Sequence, residues 1–510
     1  MLLVMLAKAL TVPKLHSSLS VGSAARGISA SCRGLHNQAT PGSRLLSHLP
    51  KYPLWSAARS SRRAPTPARL LQTRSYALFS KPSPVTFEQQ LSTIRTPRFF
   101  SSNGAPVAEP LPILSAPPVA RWLLLSSTLV FAVIVVGGVT RLTESGLSIT
   151  EWRPITGILP PLSQAQWEAE FDKYKATPEF KLLNHSISLS EFKSIFYMEW
   201  AHRVLGRIIG IAFVVPLAHF AIRRRLTASL PLQLTGMAFL LGAQGALGWY
   251  MVKSGLEDSL MDTPGAVPRV SQYRLAAHLG TALVLYAGMF WTGISILKDW
   301  KYAKTGAWAG LSDGRQWDKV LQNPIVRRFK TQSSLLLGLV FLTALSGAFV
   351  AGLDAGLLYN EFPLMGGRIA PPSDELFNPA YASQSDGTGL WRNIFENPTT
   401  VQFNHRVLAI TTYLGTGALY LVSRRPALRA ALPPLALRSA TIAFAMANVQ
   451  VLLGISTLLY LVPVPLAAAH QAGSVALLTT MIHVLIALRR PGMAARVWRQ
   501  ANVAKAAAKP

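Results

Sequence analysis

Charge is scarce in this chain. Of 510 residues only 14% are Asp, Glu, Lys or Arg, against about 25% in a soluble globular domain. Acid is scarcer than base: 22 Asp and Glu against 50 Lys and Arg leave a formal net charge of +28. The first 87 residues hold twelve Lys or Arg and no acid; the first acid is Glu88. Cysteine is nearly absent, with Cys32 alone. One cysteine excludes an intrachain disulfide, a multi-cysteine metal site and covalent heme attachment through C-x-x-C-H. The basic excess sits in the acid-free start and in loops beside apolar stretches, so a nucleic-acid-binding surface is rejected.

Apolar length is what the chain has in plenty. Half its residues are hydrophobic and the mean hydropathy is +0.30. A bilayer core takes roughly 20 apolar residues per helix. Eight stretches qualify: 121–140, 201–222, 232–252, 275–297, 334–353, 403–422, 436–461 and 466–488. The second carries His202, Arg203, Arg207 and His219, so it is expected to score least well on hydropathy. The Ser-, Ala- and Arg-rich segment 1–76 has the composition of a mitochondrial transit peptide. Arg74-Ser75-Tyr76 suits a processing site, and the mature chain is expected to begin near Ala77. Cys32 lies in the removable part.

The remaining base is sided. Arg223, Arg224 and Arg225 follow the second span, and Lys298, Lys301, Lys304, Arg315, Lys319, Arg327, Arg328 and Lys330 lie between the fourth and fifth. Arg424, Arg425, Arg429 and Arg438 follow the sixth, and Arg489, Arg490, Arg496, Arg499, Lys505 and Lys509 the eighth. With eight alternating spans these all fall on one side. The long loops 143–195 and 354–398 fall on the other, with Glu168, Glu170, Asp172, Glu179, Asp354, Glu361, Asp374, Glu375 and Asp386 among their acids. The positive-inside rule places both termini in the matrix and the long loops in the intermembrane space.

Spans one to four repeat as spans five to eight. The first and fifth spans end alike, in Gly137-Gly-Val-Thr-Arg-Leu-Thr-Glu-Ser-Gly146 and Ser346-Gly-Ala-Phe-Val-Ala-Gly-Leu-Asp-Ala-Gly356, each running into a long loop. The third and seventh spans each carry a Gln four residues before a Gly, Gln244 to Gly248 and Gln450 to Gly454. Such a glycine lets helices approach in lipid, and the Gln can bond across the contact. Four spans per copy give both copies one orientation. The expected fold is an all-α integral membrane protein, eight transmembrane helices as two parallel-repeat four-helix bundles. Its parts are a transit peptide 1–76, a matrix segment 77–120, bundles 121–297 and 334–488, a matrix linker 298–333 and a matrix tail 489–510.

The repeat carries four histidines. Glu199-Trp-Ala-His202-Arg203 matches Gln402-Phe-Asn-His405-Arg406. Ala276-Ala-His278-Leu-Gly280 matches Ala468-Ala-His470-Gln-Ala-Gly473. A lone intramembrane His more often bonds a neighbouring helix, but four in a two-fold pattern suit two six-coordinate heme irons. The pattern puts them at one depth near the intermembrane-space surface, within the first turn or so of even-numbered spans. One pair per bundle could then clamp one porphyrin from both faces. His185, His219 and His483 have no counterparts and take structural or incidental roles. Arg203 and Arg406 suit heme propionates or snorkel to headgroups; Arg141 is a weaker candidate. Glu199 shares a helix face with His202, where the second half has Gln402. A carboxylate there could take a proton or stabilise developing positive charge; it could equally cap the helix or pair with Arg203. The difference suggests chemistry in the first half and a permanent cofactor in the second.

The chain resembles the heme A synthases, mitochondrial and cysteine-free class, over about 115–490. The resemblance is carried by Gly138-Val-Thr-Arg-Leu-Thr-Glu-Ser-Gly-Leu-Ser148, Trp152-Arg-Pro154, Gly157-Ile-Leu-Pro-Pro161, Glu191-Phe-Lys-Ser-Ile-Phe196, Tyr197-Met-Glu-Trp-Ala-His-Arg203, Phe403-Asn-His-Arg406 and Ala469-His-Gln471. It implies oxidation of the C8 methyl of heme O to a formyl group in two steps, giving heme A for cytochrome c oxidase. It implies substrate heme O on His202 and His278 with Arg203, and Glu199 as a catalytic group. It implies heme b on His405 and His470, with Gln402 and Arg406 beside them. Ferredoxin and its reductase are the implied electron source. Heme O synthase and the oxidase assembly machinery are candidate hand-off partners, and self-association stays open. Bis-histidine ligation leaves the iron no open position, so either a first-half histidine dissociates or oxygen does not bind that iron. The rival readings are a diheme electron-transfer cytochrome and a heme O or heme A carrier.

Overall fold

The computed structural model describes residues 114–153, 157–257, 259, 261, 267–313, 316–381 and 391–507. The chain divides after Ala108, and all described residues lie in the second unit, Glu109–Pro510. The transit-peptide segment, Cys32 and Pro154 fall outside the described residues.

Described residues form helices and turns with no strand beyond isolated bridges. Eight long helices carry the fold: α1 (Pro117–Leu142), α2 (Leu189–Ile222), α3 (Leu230–Gly255), α4 (Gln272–Thr305), α5 (Pro324–Gly352), α6 (Pro398–Arg424), α7 (Pro434–Leu459) and α8 (Val464–Ala487). A ninth, α9 (Met493–Ala507), follows. Seven of the eight are long and apolar enough to cross a membrane; the exception is α6. The expectation that 201–222 would be the weakest span is therefore corrected. In α2 the charges near His202 are followed by the apolar run Ile208–Leu217, whereas α6 spreads Thr411, Thr412, Tyr413, Thr416, Tyr420 and Ser423 along its length.

Caps outside the apolar stretches set where helices begin. Ser188 and Glu191 form a reciprocal capping box on α2, satisfying two orphan N–H groups. Asn323 and Asn397 accept from Ile325 N and Thr399 N to cap α5 and α6, each followed by a proline. Early starts place the histidines deeper than a first turn. His278, His405 and His470 stand about two turns into α4, α6 and α8, and His202 about four turns into α2. The expected 298–333 linker is likewise shortened, because α4 runs on to Thr305 and α5 starts at Pro324.

The contact pattern is that of the repeat. In the first half α1 packs on α2 and α4, and α3 packs on α2 and α4; the second half repeats this with α5, α6, α7 and α8. Between halves α4 meets α5, α8 meets α1, and α4 meets α8. Exchanging the halves maps this set onto itself, which places α4 and α8 at the pseudo-two-fold axis. Tyr286 and Thr479 share a 2.6 Å hydrogen bond there, and His483 packs edge-on against Phe290. α7 buries Ala436, Ser439, Ala440, Ala443 and Ala447. Small residues at this spacing let backbones approach where lipid supplies no hydrophobic drive.

The loop between α1 and α2 has its own core. Trp167, Phe171 and Tyr174 of helix Gln164–Lys175 pack on Phe192 and Phe196 of the α2 extension. Trp200 Nε1 donates to Ile158 O at 2.9 Å and ties the loop to α2.

Candidate functional site

Each of the four histidines lies against a glycine of a neighbouring helix. A Cβ on Gly137 of α1 would stand 3.0 Å from Nε2 of His202; one on Gly347 of α5 would stand 3.4 Å from Cε1 of His405. Gly248 of α3 and Gly454 of α7 face Cε1 of His278 and His470 at 3.7 and 2.8 Å. The repeat is thus kept at the level of ring and cradle. The two glutamine motifs act as expected across α3–α4 and α7–α8: Gln244 Nε2 donates to Thr281 Oγ1 at 2.7 Å, and Gln450 Nε2 to His470 O at 3.0 Å. Their glycines admit an imidazole, a closer role than the general helix approach read from sequence.

Glu199 is buried, at 3% exposure. Its Oε2 accepts from Ser148 Oγ at 2.7 Å and Ile149 N at 2.8 Å. Its Oε1 accepts from Arg203 Nε and Nη2 at 3.0 and 2.6 Å. Arg203 also donates to Glu151 O and Ile149 O. In the other half Arg406 donates to Tyr359 O, Glu361 O and Leu364 O. Neither arginine snorkels: each guanidinium clasps the long loop of its own half at corresponding carbonyls. Buried Gln402 donates to Leu358 O and leaves its Oε1 without a partner, as is Nε of Arg406. A carboxylate accepting from the loop in one half is thus replaced by an amide donating to it in the other. Arg141 pairs with Asp354 at 2.7 Å, joining α1 to the second-half loop.

Four residues were not singled out from sequence. Ser148 lies inside the quoted motif, but only the fold puts it on Glu199. Ser346 Oγ lies 2.7 Å from Nδ1 of His405. Gln471, next to His470, reaches α1, donating to Ile134 O at 3.1 Å over Gly138. Glu179, on the loop helix Pro178–Leu182, is buried with an unpartnered Oε2. Burial pushes its carboxyl up to about 8, helped by the charges of Glu199 and Glu144 and opposed by a Tyr174 hydrogen bond.

Among the described residues no three His, Cys, Asp or Glu side chains group to hold a bare metal ion. Paired imidazoles suit a group that brings its own equatorial donors and needs two axial nitrogens, as an iron porphyrin does. The residues fit such a group. All four histidines are half-buried, the two histidine-bearing helices of each half flank the same neighbours, α1 and α3 or α5 and α7, and the buried Nδ1 atoms of His278 and His470 lack protein partners.

Comparison with known proteins agrees. The model of the family described as "Cytochrome oxidase assembly protein" matches residues 120–482. Heme A synthase COX15 of Saccharomyces cerevisiae is 48% identical over 374 residues, 73% of this chain and 76% of that protein. Its human namesake is 48% identical over 373 residues, 73% of this chain and 83% of that protein. A heme A synthase-mitochondrial ferredoxin fusion protein of Schizosaccharomyces pombe is 48% identical over 366 residues, 71% of this chain and 59% of that protein. The chain therefore belongs to the cytochrome oxidase assembly protein family, to which these heme A synthases are its relatives.

Proposed function

We propose that this protein is a heme A synthase of the mitochondrial inner membrane, oxidising the C8 methyl of heme O to a formyl group. The observation that carries the reading is the contrast between the halves: buried Glu199 on the helix of His202 against Gln402 on the helix of His405. His202 and His278 hold substrate heme O, and His405 and His470 hold heme b. When bound, heme b supplies one-electron transfer. The fused relative supports a ferredoxin, with its reductase, as the electron source. Each of the two oxidations consumes dioxygen, two ferredoxin electrons and two protons and releases one water: the methyl becomes an alcohol, then a hydrated aldehyde, which loses a further water.

Glu199, paired with Arg203 as an ionised carboxylate, acts on positive charge that develops at the porphyrin edge. Two loop donors and Arg203 hold it as an acceptor, and such preorganised groups favour charge that develops in the transition state. Arg203 orients this carboxylate and closes the loop over it. The unpartnered Nε of Arg406 can donate to a propionate of heme b. Both termini lie in the matrix and the histidine pairs toward the intermembrane space; the sided basic loops support this orientation.

The test is heme extraction from mitochondria carrying wild type, Glu199→Gln or no protein. Wild type is expected to yield heme A, and the variant to accumulate heme O or its alcohol while keeping heme b. Normal heme A in the variant would remove Glu199 from the mechanism. Unchanged heme A without the protein would favour a diheme electron-transfer cytochrome.

A further inference from the structure

Ser346 Oγ stands 2.7 Å from Nδ1 of His405 and 2.8 Å from the carbonyl of Thr343 in the preceding turn of α5. A hydroxyl has one hydrogen, and a carbonyl only accepts. The hydroxyl hydrogen therefore goes to Thr343, and Oγ accepts from Nδ1–H. This fixes the neutral tautomer of His405, with hydrogen on Nδ1 and the lone pair on Nε2. A hydrogen bond from the far nitrogen holds the ring's orientation and raises its strength as a ligand.

In the first half the equivalent place carries no hydroxyl. Gly137 and Gly347 correspond as the cradles of His202 and His405, so the position matching Ser346 is Val136, which neither donates nor accepts. Nδ1 of His278 and of His470 has no partner. The repeat thus keeps four rings and four glycines but gives His405 an anchor that Val136 cannot give His202.

Building on the reading of His405 as a heme ligand, we propose that Ser346 is a positioning residue: it locks His405 as an Nε2 donor and makes the second-half heme the retained one. Val136 leaves His202 without that lock, so that substrate heme enters and product heme leaves. A permanent site and an exchanging site are then built on one fold by a single hydroxyl.

The test uses the full-length protein in detergent, with spectroscopic redox titration and transfer of heme to apomyoglobin. Ser346→Ala is expected to raise the midpoint potential of one heme, because a weaker donor stabilises the ferric iron less. The same heme should be lost about tenfold faster or more. Ser346→Thr should restore both values, and Val136→Ser should slow heme loss from the other site. Wild-type potential and loss rate in Ser346→Ala, in a protein whose heme b disappears with His405→Ala, would overturn the role of Ser346 and leave the ligand reading standing. Intact heme b in His405→Ala would overturn the ligand reading itself. Should Ser346→Ala fail to fold, Val136→Ser decides alone, and an unchanged loss rate there counts against the proposal.

Discussion

A glycine's missing methyl is measurable at two related positions. At Gly454 a Cβ would come 2.8 Å from Cε1 of His470, closer than real contacts allow; at Gly248 it would come 3.7 Å from Cε1 of His278, an ordinary contact. Gly454→Ala is expected to displace the ring and cost most of the heme b, whereas Gly248→Ala should keep wild-type heme content. Pyridine-hemochrome assay of the two purified variants checks this, and equal behaviour would show that the cradle does not set ligation. The Glu199–Arg203 pair is the other sensitive point at this scale. Removing one partner of a buried pair typically costs about 3–5 kcal/mol, so Arg203→Ala should lower the thermal midpoint as well as heme A output. The repeat made the histidines legible in sequence, because two matched frames are hard to meet by chance. The roles of Ser148 and Ser346 were not legible, because a serine's use depends on what the neighbouring helix brings within about 3 Å.

Among elements, the loop helix Pro178–Leu182 has its own pH dependence. The Glu179 carboxyl, ordinarily near 4.5, is pushed up to about 8 by burial. Between those values the folded form keeps a proton that the unfolded form releases. Stability from this group is therefore full below about pH 4.5 and is lost as pH rises through about 8. Glu179→Gln should flatten that slope: wild type should lose more thermal stability than the variant between pH 5 and pH 8, read by differential scanning in nanodiscs. Parallel slopes would mean that Glu179 is solvated. The caps were readable as Ser188 with Glu191 and as Asn-Pro at 323–324 and 397–398, yet the apolar windows alone started α2 twelve residues late. Hydropathy marks where lipid begins, whereas a capping box marks where the helix begins.

At the scale of the whole molecule, the near-absence of cysteine becomes a tool. With Cys32 in the part expected to be cleaved, a single engineered cysteine reports its own side of the membrane. A cysteine at Glu168, on the exposed face of the α1–α2 loop, should react with an impermeant maleimide in intact mitoplasts. One at Lys319, in the exposed segment before α5, should react only after the membrane is opened. The reverse pattern would invert the topology and put the histidine pairs toward the matrix. The two-fold contact pattern also makes α4 and α8 shared walls of both halves. Gln471 extends this from the His470 turn to α1, beside the glycine that cradles His202.

The sequence by itself determined the class of fold, the repeat, the four histidines and the Glu199–Gln402 difference. These follow from lengths of apolar chain and from matched local frames, which need no third dimension. Only the tertiary structure decided what those residues touch. It gave Arg203 and Arg406 to loop carbonyls, turned the Gln-x-x-x-Gly glycines into seats for imidazoles, and brought Ser148 to Glu199 and Ser346 to His405. Hydrogen bonds and close packing act over a few ångströms between segments separated along the chain, by 42 to 59 residues for the hydrogen bonds of Arg406, Ser148 and Ser346, and no local pattern specifies them.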